Sequence, residues 1–111
     1  MTAPKFTPGL SRGEFSIGGE LWPGLSKLIE ECGEVCQVAG KIIGNQGRAD
    51  HWDGSHLPTR LTDELGDLMA AITFVARTNG ISMDAVTARA AKKLDLFQQW
   101  HADTLAKSNN S

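Results

Sequence analysis

Two short acidic runs carry the chemistry open to this chain: Glu30-Glu31-Cys32-Gly33-Glu34-Val35 and Asp63-Glu64-Leu65-Gly66-Asp67-Leu68. They match position by position in chemical type, at an offset of 33 residues. Each reads acid, acid, apolar, Gly, acid, apolar. On a helix turning about 100° per residue, Glu31 falls at the edge of its apolar stripe and Glu34 about 60° farther out. Glu64 and Asp67 bear the same relation to theirs. If the two stripes pack together, these four carboxylates converge at one rim of the interface. Crowded carboxylates in a partly dry site repel one another, and some must protonate unless a cation is present. Mg²⁺ or Mn²⁺ answers that need, because hard cations take oxygen ligands and commonly pair carboxylates with substrate phosphates.

A solvated acidic face is the ordinary fate of helical glutamates. Two features favour a site. The motif occurs twice in register with an apolar stripe, and each copy holds a mid-helix Gly that costs about 1 kcal/mol relative to Ala. Close approach of a backbone or a ligand would account for those glycines. Charge points the same way. The chain has 13 acidic and 11 basic side chains, a net charge of −2. Without Glu30, Glu31, Glu34, Glu64 and Asp67, 8 acids face 11 bases. A local acidic cluster on a mildly basic body suits a metal–polyphosphate ligand.

The elements that would position the acids are helical. Leu25, Leu28, Ile29, Cys32, Val35, Cys36, Ala39, Ile42 and Ile43 follow the i, i+3, i+4, i+7 pattern of an amphipathic helix. Pro23 suits its first turn and Gly44 its end. Residues 44–60 read as a polar loop of 17 residues, long enough to be functional or mobile. A second stripe, Leu61, Leu65, Leu68, Met69, Ile72, Val75 and Ala76, starts a helix near Leu61 that stops at Asn79-Gly80. Ser82 is the expected N-cap of a third helix carrying Met83, Val86, Ala90, Leu94, Phe97 and His101. No alternating strand pattern competes. The fold class is therefore all-α. Three helices close a four-helix bundle poorly alone, so a bundle completed by homo-oligomerisation is expected. Its expected divisions are an irregular segment 1–21, a helical domain 22–106 and a frayed tail 107–111.

The paired motifs resemble the E-E-x-x-E … E-x-x-D signature of MazG-like all-α nucleoside triphosphate pyrophosphohydrolases. The likeness covers most of residues 22–101, including the Asn79-Gly80-Ile81 turn and a following helix with Lys92-Lys93. It implies Mg²⁺-dependent cleavage between the α and β phosphates of a nucleoside triphosphate, giving the monophosphate and pyrophosphate. It also implies helical subunits assembled as homodimers or homotetramers. Carried onto this chain, the metal ligands are Glu31, Glu34, Glu64 and Asp67. Glu30 becomes an auxiliary acid, and Glu30 or Glu34 the base that takes a proton from water. Arg89, Lys92 and Lys93 could neutralise phosphate oxygens. Lys93 is favoured because it faces closest to the Val86–Ala90–Phe97 stripe. Their ordinary reading is a solvated basic face. A catalytically silent helical interaction module on the same fold is the alternative.

The remaining residues narrow the field. Trp52 reads equally as a stacking surface for a base or as a loop anchor; Trp22 and Trp100 read as packing. His51 and His56 have no Cys or His set around them, which argues against zinc. Neither acidic motif has the Glu-x-x-His pair of a di-iron bundle. Cys32 and Cys36 make no disulfide framework and read as small core residues in a reducing, cytoplasmic protein. The net charge argues against a nucleic-acid partner. The longest apolar run, Leu68 to Ala76, is nine residues interrupted by Thr73, too short to span a membrane. The N-terminus lacks the apolar stretch of a secretory signal.

Overall fold

The computed structural model describes residues 22–109, and the expectation for segment 1–21 lies outside them. Three helices appear: α1 Leu25–Gly44, α2 Leu57–Thr78 and α3 Met83–Asn109. Among the described residues there is no strand, only an isolated bridge between Asp50 and His56. Two compact units divide after Gly80.

The first unit is an antiparallel pair of helices, α1 on α2. Gly24 opens α1 at φ 97°, where a side chain would be strained, and its carbonyl accepts from Leu28 N–H at 2.9 Å. A Cβ there would lie 2.7 Å from the Phe74 ring and 2.9 Å from Val75 Cγ2, so only glycine lets this turn close onto α2. Asn79 fastens the same end. It is buried, and its Nδ2 donates to Val75 O at 2.9 Å and to Pro23 O at 3.0 Å. This ties the C-cap of α2 to the entry of α1.

α2 begins at Leu57, four residues before the stripe that marks it in the sequence. His56 supplies the cap, its Nδ1 accepting from Thr59 N–H at 3.3 Å, and Pro58 sits in the first turn, where no N–H is needed. Leu57 is fully buried, worth roughly 1.5–3 kcal/mol. The connection shortens to residues 45–56. It is organised by Asn45, whose Nδ2 donates to Arg48 O and Asp50 O, and by the left-handed residues Gln46 and Gly47.

The packed seam has a regular spacing. On α1 and its caps it reads Gly24, Leu28, Glu31, Val35, Val38, Ile42, Asn45; on α2, Leu57, Leu61, Glu64, Leu68, Ala71, Val75. Every one of these is buried or half-buried. The alternation of four and three is that of a coiled-coil seam. It uses only one side of each apolar arc. Ile29 and Ile43 on α1, and Leu65, Met69 and Ile72 on α2, stay exposed. Cys32 and Cys36 go with them. Expected in the core, both are free and exposed, because α2 covers the neighbouring side of α1. The mid-helix glycines Gly33 and Gly66 are also not close-approach positions among the described residues: a Cβ at either meets none of them within 4 Å.

The second unit is α3. Ser82 caps it as expected, its Oγ accepting from Ala85 N–H at 3.1 Å. The helix runs through Lys107 and Ser108 to Asn109 and buries no residue. Phe97 and Trp100 pack against each other with their rings tilted at 48°, ring centres 5.7 Å apart, both about half exposed.

Candidate metal centre

Within the two helices, the seam positions that break the apolar rule are Glu31 and Glu64. In sequence they read as stripe-edge residues. In the structure both are half-buried on the seam, Glu31 between Leu28 and Val35 and Glu64 between Leu61 and Leu68. Asp67, one turn after Glu64, joins them. Carboxylate oxygens of Glu31, Glu64 and Asp67 all lie within 4.8 Å of one another.

The electrostatics follow from that crowding. The Glu31 carboxyl is raised above its ordinary value, first by desolvation, then by Asp67, Glu30, Glu64 and Glu34. Glu64 is raised likewise by desolvation, then by Glu34 and Asp67, with Arg60 opposing. Three acids held this close, two of them half-buried in the seam and Asp67 exposed beside it, fit a hard divalent cation. The donor set is all oxygen and all anionic, and it leaves coordination positions for water or phosphate. Glu34 is outside the three-oxygen group, yet near enough to repel both glutamates. Glu30 is also outside it, paired with Lys27 at 2.9 Å.

Sequence reasoning passed over two cations. Lys27 lies one turn before Glu31, and Arg60 one turn before Glu64. The offset of 33 relates them as it relates the acids, so the repeat in fact begins a turn earlier. Because α1 and α2 are antiparallel, the two cations flank the acids from opposite sides. The offset between Lys27 and Arg60 was the available signal.

The loop before α2 is built for display. His51 N–H donates to Ser55 O at 2.9 Å. Asp53 accepts from Ser55 N–H at 2.9 Å and from its hydroxyl at 2.6 Å, which holds the Asp53 carboxyl well below the usual range. His51 lies 3.1 Å from the same carboxylate. Trp52 projects from this turn 88% exposed, with the His51 ring beside it. It is not an anchor against the helices. Arg89, Lys92 and Lys93 belong to α3; Lys93 is half-buried and the other two are exposed.

No helix among the described residues is long and apolar enough to cross a membrane. No curated protein matches the chain, and no solved structure does. One family model does match, that of the MazG nucleotide pyrophosphohydrolase domain, over residues 24–97. That span begins at the glycine that closes the turn onto α2 and contains both acidic runs, both flanking cations and the lysine pair of α3. With two antiparallel helices that bring those acids together, the chain belongs to the MazG nucleotide pyrophosphohydrolase domain family.

Proposed function

We propose that this chain is a Mg²⁺-dependent nucleoside triphosphate pyrophosphohydrolase. Water attacks the α phosphorus, the α–β anhydride bond breaks, and a nucleoside monophosphate and pyrophosphate leave. The observation that carries this reading is the Glu31–Glu64–Asp67 cluster, two of whose members stand in an otherwise apolar helix seam. Seam glutamates are expensive to the fold and are accounted for by a ligand that needs them.

Glu31, Glu64 and Asp67 would hold the cation, with Glu34 as a further ligand. Bound there, Mg²⁺ (or Mn²⁺) would neutralise phosphate charge and make coordinated water more acidic. Glu34 would alternatively take the water's proton, a role supported by its nearness to Glu31 and Glu64. Glu30, the other candidate, must first give up its Lys27 partner. Arg89, Lys92 and Lys93 supply positive charge for the phosphates in this reading. The base has two aromatic surfaces on offer, Trp52 on the loop and Phe74 on α2.

Assembly belongs to the same proposal. The uncovered apolar residues Ile29, Ile43, Leu65, Met69 and Ile72, and the half-exposed Leu94, Phe97 and Trp100, support a homodimer or homotetramer. Sedimentation at micromolar concentration is expected to give a dimer or larger species. A well-folded monomer would remove this part. The free thiols of Cys32 and Cys36 suit a reducing, cytoplasmic setting.

The direct test is Mg²⁺-dependent pyrophosphate release from a panel of canonical, deoxy and modified nucleoside triphosphates. Release from at least one, suppressed by chelation, is the expected result. No release from any, by folded protein, would leave the silent interaction module.

A further inference from the structure

A groove runs along the first unit from the acids to the Gly24 turn. Its volume is about 500 Å³, within the range of small-molecule sites. Glu31 and Asp67 line one end and Gly24 and Phe74 the other, with Lys27, Ala70 and Ala71 between them. The lining therefore changes from charged to apolar and aromatic over two turns of helix, about 10 Å. The apolar end is built. The missing side chain of Gly24 gives the Phe74 ring its place, and Asn79 staples that turn to α2.

We infer that this groove holds the nucleoside end of the substrate, with the base against Phe74 and the α-phosphate at the acids. The inference rests on the pyrophosphohydrolase reading and adds a direction to it. A nucleoside with its phosphates is apolar and flat at one end and anionic at the other, the same gradient the lining presents. Ala70 and Ala71 leave the width that larger side chains would fill. Lys27 meets the phosphate nearest the sugar, exchanging its Glu30 partner for it. The outer phosphates then pass the acids towards Arg60, the cation on the far side. Trp52 also lies on that far side, before Leu57, and so faces the pyrophosphate end rather than the base.

Two variants and two products test this. Phe74→Ala is expected to raise KM for the best triphosphate about tenfold, the worth of one base–aromatic stack. Its kcat should stay within about twofold, since stacking serves binding. Phe74→Trp should restore KM. Ala70→Leu, which narrows the groove while keeping the Phe74 ring, should also raise KM, and it keeps the test available if Phe74→Ala does not fold. In both groove variants the inhibition constant of the nucleoside monophosphate should rise and that of pyrophosphate should not. Unchanged KM in the folded variants would overturn the groove assignment. So would a rise seen only with Trp52→Ala, or a changed sedimentation coefficient in Ala70→Leu with KM intact, which would give the groove to a second copy. Wild-type protein that releases no pyrophosphate from any triphosphate would instead overturn the activity itself.

Discussion

Glu64→Gln is expected to abolish Mg²⁺-dependent turnover while leaving the helices intact, and Glu31→Gln to do the same. Gln keeps the shape of the side chain and removes the charge that binds the cation. Metal-ion stabilisation of transition-state charge is worth several kcal/mol, and at about 1.4 kcal/mol per decade its loss is roughly a thousandfold in rate. The fold should not suffer. Each replacement removes one of three carboxylates that repel one another within 4.8 Å, so the metal-free variants should melt no lower than the wild type. Circular dichroism and steady-state kinetics check both halves. Turnover within a few-fold of wild type in both variants would mean that the cluster does not hold the catalytic cation. Glu30→Gln is the informative contrast, because Glu30 lies outside the cluster and is paired with Lys27.

Much of this arrangement is legible in the sequence, for definite reasons. The boundaries of α1 follow from Leu25, the long apolar stripe and Gly44, and the observed helix is Leu25–Gly44. The entry of α3 follows from Ser82. The start of α2 does not, because His56 is an uncommon cap and Leu57-Pro58 reads as the end of a loop. Periodicity also reports an apolar arc without saying which side of it is used. Both α1 and α2 have two apolar seams, and the one that packs holds Glu31 and Glu64. For the same reason Cys32 and Cys36 fall outside the core. The acids themselves are recoverable from their repeat. Lys27 and Arg60 become meaningful only once the helices are antiparallel, since the same offset then places them on opposite sides of the cluster. The groove is not legible at all. It depends on Gly24 meeting Phe74, a contact between residues 50 apart that no local pattern records.

Metal-free protein should lose stability as pH rises, and Mg²⁺ should reverse that slope. The Glu31 and Glu64 carboxyls are raised in the folded state, chiefly by desolvation and then by neighbouring acids. Above the ordinary glutamate value of 4.5 the folded chain therefore holds more protons than the unfolded one. Stability rises with pH only where the unfolded state binds more protons. Here the inequality runs the other way, so stability falls from that value upward until both glutamates are ionised. Asp53 acts oppositely and lower down. Its carboxyl is depressed by the Ser55 hydroxyl and N–H, so its contribution is present above 3.8 and lost as pH falls further. Cation binding needs the ionised carboxylates and strengthens with pH as protons stop competing. Excess metal adds about 2.7 kcal/mol at a hundred times its dissociation constant and about 4.1 at a thousand times. Melting curves in chelator should thus drop as pH rises above about 4.5, whereas curves in saturating Mg²⁺ should hold level or climb. Sodium chloride at matched ionic strength should not reproduce the effect, because screening acts on exposed pairs far more than on a seam. Glu64→Gln should flatten both curves together. A wild-type melting temperature indifferent to millimolar Mg²⁺ and Mn²⁺ at pH 8, with or without nucleotide, would leave the seam glutamates without a ligand to explain them.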